Sequence, residues 1–483
     1  GTLLLAAKGE ATQSAAAGLQ GSMTFTLEVP ALAAQPLFAG TQAVSAGRAS
    51  GEVRATLGPV NQLEARMTVN GLVTTLTNET LPVANLSFRA VAQSDGKISV
   101  QAPLLLDRAG QRSDLGLTLE LTPAGRGFQV DGRVAGEHIE LADALAVLGV
   151  FLAPTGDTPV GAAVPARVVA DTTPAWSRFT GRLALDVKSV VRGNDWAMSG
   201  LTGLVLIEPA DVTLQKLAAA FGEQGRLAAK ARVGFTRGAQ PYDLTGDFSL
   251  TEFDAGKLFK ALEPAKPATV EGVFTVNGRF TGSGETLART LERSHGTFDL
   301  TSRAGVFRGL QRTTNKISMT SKAVELGASV LGSIFGSEKV TKTAEKVAGQ
   351  AYFVDQLAQS MGELPYDQLS VKLARDESLN VTLEDISLVS PEIRLIGRGT
   401  VTYVAGKPLL EQPLNAALTI AGRGKLEELF GKLRLLNGAK DDLGYARTKE
   451  TVTLGGSLLR PDPTAFFTRI ATAKLGDLLA PER

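Results

Sequence analysis

A chain of 483 residues is long enough for roughly three ordinary domains or one long repetitive one. Its 50 Lys and Arg against 49 Asp and Glu give a net charge of +1, so no basic excess points to nucleic acid and no acidic excess to disorder. Cysteine is absent and histidine occurs twice, which excludes thiol catalysis, disulfide frameworks and Cys/His zinc sites.

Glycine is enriched, at 52 residues against a usual share of about 7%. Apolar residues are plentiful and aromatics few, the profile of a turn-rich β protein with small side chains. Strict alternation of apolar and polar residues dominates the chain. Met23, Phe25, Leu27 and Val29 alternate with Ser22, Thr24, Thr26 and Glu28. Leu63 to Val69, Leu115 to Leu121 and Leu227 to Phe235 repeat the pattern. So do Leu379-Val381-Leu383, Val401-Tyr403 and Leu414 to Ile420. Each such strand has one oily and one wet face, as in an antiparallel sheet covered on one side. A parallel α/β sheet would carry continuous apolar strands separated by long helices.

Glycine recurs at the head of these segments, in Gly181-Arg-Leu-Ala-Leu, Gly246-Asp-Phe-Ser-Leu, Gly272-Val-Phe-Thr-Val, Gly296-Thr-Phe-Asp-Leu and Gly399-Thr-Val-Thr-Tyr. A turn or bulge at the glycine, followed by a new strand, explains the spacing. Short helical pieces follow some strands, at 137–148, 251–262 and 424–433. Two stretches depart from the β pattern. Pro154, Pro159, Pro165 and Pro174 make 154–176 a linker or boundary loop. In 309–362, Val340, Ala344, Val347, Ala351, Val354, Ala358 and Met361 step by four and three, which predicts packed helices. The expected organisation is a β-rich repeat region over 1–153 and the linker over 154–176. A second β-rich region with short helices then covers 177–308, and a helical insertion covers 309–362. A C-terminal β region over 363–483 ends in an amphipathic helix from Thr464 to Leu479.

Enzyme motifs are absent: there is no Gly-x-Ser-x-Gly elbow, Walker A loop, complete Gly-x-Gly-x-x-Gly or His-Glu-x-x-His. His138 precedes a short apolar helix and His295 sits in a Ser-His-Gly turn, neither near a nucleophile in sequence. Asp441-Asp442 reads as a polar loop pair with too few oxygen ligands nearby for a metal. The chain is therefore expected not to be an enzyme and to need no cofactor or metal.

What remains is the oily side of the sheet. It is either the core of a sandwich, the commoner fate of a one-faced sheet, or a groove open to acyl chains. Alternation does not separate the two. The fold class is mostly β: an elongated, curved antiparallel sheet, open groove or sandwich-like, with short helices and one helical insertion. The residues placed on the apolar strand faces are Leu183, Leu185, Phe248, Leu250, Phe274, Val276, Phe298 and Leu300.

Three C-terminal segments carry a family resemblance. They are Gly296-Thr-Phe-Asp-Leu-Thr-Ser-Arg-Ala-Gly-Val-Phe-Arg-Gly-Leu310, Ile386-Ser-Leu-Val-Ser-Pro-Glu-Ile-Arg-Leu-Ile-Gly-Arg-Gly-Thr-Val-Thr-Tyr403 and Val452-Thr-Leu-Gly-Gly-Ser-Leu-Leu-Arg-Pro-Asp-Pro463. Strand, Ser-Pro, strand, Gly-x-Gly, strand and a closing Gly-Ser-Leu…Pro-Asp-Pro resembles the C-terminal pattern of the AsmA-like bacterial envelope proteins. The resemblance implies a periplasmic, inner-membrane-associated protein of the bridge-like lipid-transfer type. Its partner would be phospholipid, carried in an apolar β groove in support of outer-membrane assembly. Family members usually begin with a transmembrane anchor. No run here approaches the roughly 18 apolar residues of a span, so the inner membrane would be reached through an anchor not present in this chain. Other envelope proteins are possible partners; nucleic acid is not. The alternative reading is a structural or assembly factor of the envelope with a closed sandwich and no ligand.

Overall fold

A computed structural model describes residues 5–14, 18–33, 44–74, 82–144, 170–308 and 352–465, apart from 59, 109, 194–195, 263–266, 269, 353–354, 357–358, 406, 408–410, 459 and 463. The protein is mostly β, and its helices are short. It divides into two units, residues 1–249 with 279–294, and residues 250–278 with 295–483.

The first unit contains twelve strands in succession. They are β1 (Leu5–Ser14), β2 (Gly18–Glu28), β3 (Val44–Leu57), β4 (Asn61–Thr74), β5 (Val83–Ala92), β6 (Ile98–Arg108), β7 (Gln111–Ala124), β8 (Gly127–Glu140), β9 (Phe179–Arg192), β10 (Trp196–Glu208), β11 (Asp211–Phe221) and β12 (Gly225–Phe235). Each pairs with the next, so neighbours in sequence are neighbours in space. All junctions are antiparallel except one. β8 and β9 run parallel, from Phe128 opposite Phe179 to Glu140 opposite Val191. A parallel junction requires the chain to return the length of a strand, and 141–178 supplies the crossover. No described pairing joins β1 to β12, so this ladder is open and not a barrel. A one-turn helix, α1 (Val29–Ala33), follows β2.

β13 (Tyr242–Asp254) and β14 (Val270–Gly284) give residues to both units. Between them lies α2 (Ala255–Leu262), and α3 (Leu287–Glu292) follows β14. Thr286 caps α3 through its side chain, which accepts from the Arg289 N–H.

The second unit is built on β15 (His295–Phe307), β16 (Leu364–Arg375), β17 (Val381–Val389), β18 (Ile393–Val401), β19 (Leu414–Gly422) and β21 (Ala446–Gly456), paired antiparallel in that order. β20 (Leu436–Lys440) and β22 (Pro461–Asp462) pair with β21. Helix α4 (Lys425–Lys432) buries Leu426, Leu429 and Phe430 in the core of this sheet. Gly422 lets it approach, because a Cβ there would lie 2.7 Å from Phe430 Cε2.

Several expectations shift. The repeated glycines lie inside strands rather than at their heads: Gly181, Gly246, Gly272 and Gly399 fall within β9, β13, β14 and β18. Gly181 and Gly272 adopt φ of 139° and 141°, which glycine accepts without breaking the strand. Leu379, with φ 68°, belongs to the turn before β17, and Tyr403 lies beyond the end of β18. His295 opens β15 and His138 is exposed on β8. Helices occur where expected at 255–262 and 425–432, whereas 137–140 is strand and 141–144 helical. Residues 154–169 of the proline-rich linker, 309–351 of the helical insertion and 466–479 of the terminal helix lie outside the described residues.

Candidate apolar binding face

Side chains of paired residues on adjacent strands point to the same side of a sheet, so the registers can be read across the first unit as rows. One row is Ala11, Gly21, Ala55, Leu63, Ala90, Val100, Leu119, Gly132, Leu183, Val205, Leu214 and Ala231, one residue from each of β1 to β12. It contains no polar side chain. A flanking row carries Ala102, Leu117, Val134, Leu185, Gly203, Leu217 and Ala229 across β6 to β12. At about 4.8 Å per strand, eleven steps make a strip of roughly 53 Å.

The other side of the same strands is wet. Glu10, Ser22, Arg54, Glu64, Arg89, Gln101, Thr118 and Arg133 form the neighbouring row over β1 to β8. Charges there pair across strands: Arg182 with Asp131 at 2.8 Å, Lys188 with Glu137 at 2.7 Å, and Arg133 with Asp186. Hydrogen bonding to Arg182 holds the Asp131 carboxyl below its ordinary value.

The apolar row is not sealed. Gly132 is its only buried member; Ala55, Ala90, Val100, Leu119, Leu183, Val205, Leu214 and Ala231 are half-buried, and Leu63 is 41% exposed. Leu19, Met23 and Leu57, on the same face of β2 and β3, are exposed as well. A sandwich interior would bury such side chains almost completely.

In the second unit the rows converge on a cavity. Leu300, Val371, Ile386, Gly397, Leu418 and Val452 form one row from β15 to β21, and Phe298, Leu373, Leu383, Gly399, Ala416 and Leu454 the next. They surround about 360 Å³ of space whose lining side chains are all apolar. That volume falls in the range of roughly 300–1,000 Å³ usual for ligand sites. Burial is graded along it. Leu418, Ile420 and Val452 on β19 and β21 are buried, while Leu300, Leu369, Val371 and Leu373 on β15 and β16 are half-buried.

Phe307 and Met361 also line this cavity. Beside Phe307, the Arg308 guanidinium bonds Glu271 at 2.6 Å and Glu363 at 2.9 Å, and these hydrogen bonds raise its pKa. The Tyr366 hydroxyl donates to the Glu271 carbonyl and contacts Ser302 Oγ, with burial raising the phenol pKa. Arg308 is thus satisfied by protein carboxylates.

The eight sequence candidates do not form a single pocket. Leu183 and Leu185 lie in the two rows of the first unit, both half-buried. Phe248 lies in the first unit and Leu250 in the second, both half-buried on β13. Phe274 is buried and Val276 half-buried on β14. Leu300 lines the cavity, and Phe298 sits in the adjacent row. Sequence reasoning missed the cavity's main walls on β16 to β19. The signal was present in Leu369, Val371 and Leu373, which alternate with Ser370 and Lys372.

Asp441 and Asp442 are more than a loop pair. Asp441 is buried and accepts from the Leu443 and Tyr445 N–H groups, and Arg394 bonds both carboxylates at 2.8 and 2.6 Å. Among the described residues no group of three or more His, Asp or Glu is placed to hold a metal, and no helix is long and apolar enough to cross a membrane. Comparison with protein-family models, curated proteins and solved structures gives no match in sequence or fold.

Proposed function

We propose that this protein binds phospholipid by its acyl chains on the apolar strand faces and lets them move along those faces. The carrying observation is the unbroken apolar row from Ala11 to Ala231, set on half-exposed side chains. A two-chain lipid with about 30 methylenes costs about 24 kcal/mol to expose to water, at about 0.8 kcal/mol each. A strip that offers a new apolar residue every ~4.8 Å removes most of that barrier at every step. Low specificity suits the task, because a lipid that is carried must also be released. Small and branched side chains, with no buried charge among them, give adhesion without a tight fit. The ion pairs of the opposite face satisfy one another, so they leave the headgroup to water.

The resemblance of the C-terminal segments to the AsmA-like family supports the setting: the periplasm, at the inner membrane, in service of outer-membrane assembly. The catalytic motifs missing from the sequence support a non-enzymatic role.

Mass spectrometry of the protein purified gently from membranes tests the reading. Co-purifying phospholipid in near-stoichiometric or higher amount is expected. Repeated lipid-free preparations would favour the envelope scaffold instead.

A further inference from the structure

The cavity of the second unit differs in kind from the strip of the first. The strip is a line of half-exposed side chains, whereas the cavity lies within a hydrophobic core that includes Leu383, Leu395, Leu418 and Val452. Protein interiors keep few voids larger than a water molecule, and an unfilled one weakens a core in proportion to its volume. A space of about 360 Å³ at this place calls for an occupant. The lining chooses it. Every side chain around the space is Leu, Ile, Val, Phe, Met, Ala or Pro, so none offers a hydrogen bond to water, a headgroup or a carboxylate. Volume sets the size. An apolar cavity of about 150 Å³ holds a benzene, so in proportion this one holds about fourteen carbons. A two-chain lipid with about 30 methylenes is about twice too large.

We infer that this cavity is a site for one acyl chain of a phospholipid, taking up to about fourteen carbons from the methyl end. The methyl end lies toward Leu418 and Val452, which are buried. The polar end points toward Leu300 and Val371 on β15 and β16, which are half-buried. Headgroup and second chain stay outside, because no lining side chain satisfies a polar group. The inference rests on the reading that acyl chains bind the apolar faces, and it adds a division of labour. The first unit offers a path on which any chain length is tolerated. The second offers a berth of fixed size that holds one chain and measures it.

Two native methionines report on the two settings separately. Met361 lines the cavity and is buried, and Met23 is exposed on the strip side of β2. NMR of the full chain labelled with ¹³C at the methionine methyls provides the test, with Met361→Leu assigning the cavity signal. The probes are n-alkylphosphocholines from octyl to octadecyl, each kept below its micelle concentration. The Met361 signal should shift and saturate at one equivalent. Affinity read there should rise about fourfold per added methylene, about 0.8 kcal/mol, and level off near fourteen carbons. Val371→Phe, which fills part of the space, should weaken that binding about tenfold or more; Leu373→Phe serves the same end if the first variant does not fold. A Met361 signal that stays still while Met23 responds would overturn the inference and leave the strip reading standing. Silence at both would overturn both. Affinity at Met361 that climbs on to octadecyl without a break, or that the filling variants leave unchanged, would also overturn it.

Discussion

Leu183 lies over Gly132, its partner across the parallel β8–β9 junction. A Cβ added to Gly132 would fall 2.8 Å from Leu183 Cδ1 and 2.5 Å from Leu119 Cδ2. Two leucines from flanking strands therefore close over a residue without a side chain. The apolar row passes the one parallel junction of the first unit without a gap. Gly132→Val should destabilise this unit by roughly 1–3 kcal/mol through overpacking, read as a lower midpoint in urea.

The same kind of substitution should have opposite consequences in the two settings. Leu185 is half-buried on the strip, whereas Leu418 is buried beside the cavity. Leu185→Asp should leave thermal unfolding within about 1 kcal/mol of wild type and cut bound phospholipid severely, since the carboxylate stays hydrated. Leu418→Asp should unfold the second unit. Circular dichroism and lipid quantification on both variants decide the point.

The strands and their faces were legible in the sequence. The alternations Met23 to Leu27, Leu63 to Val69, Leu115 to Leu121 and Leu227 to Phe235 fall in β2, β4, β7 and β12. Period two is a local property, set by the pleat. The parallel junction was not legible. The direction in which β9 joins β8 depends on where the 141–178 crossover returns, and no local pattern encodes it. Nor was the cavity: it arises where residues of β15 to β21, far apart in the chain, gather around one space. Arg394 and Asp441 are 47 positions apart, so a partner for the buried carboxylate could not be read from its neighbours. The glycines misled for a related reason. A residue that accepts a φ near 140° fits within a strand, as Gly181 does, as readily as in a turn before one.

Phe430 is fully buried on α4, in the core of the second unit. Phe430→Ala should cost about 3–5 kcal/mol of that unit's stability. Differential scanning calorimetry should register it as a lower transition temperature for the second unit with the first unchanged.

The Arg394 cluster predicts a response to acid. Burial pushes the Asp441 carboxyl up, but the Tyr445 N–H, Arg394 and the Leu443 N–H outweigh it and hold the group below its ordinary value. Arg394 holds Asp442 down as well. A carboxylate depressed in the folded state contributes stability above its unfolded value of about 3.9, and loses it as pH falls through the folded value. Asp441→Asn should therefore lower the second unit's melting temperature at about pH 6. The difference from wild type should shrink as pH falls through the folded value. A difference that persists unchanged in acid would contradict this.

The central claim, that hydrocarbon reaches one face of these strands and not the other, is tested most directly by site-specific photo-crosslinking along β7 in cells. A photoreactive amino acid would be placed in turn at Leu115, Gly116, Leu117, Thr118, Leu119 and Glu120. Lipid adducts at Leu115, Leu117 and Leu119, with none at the three intervening positions, are the predicted result. Adducts at none of the six, or at all of them alike, would contradict it.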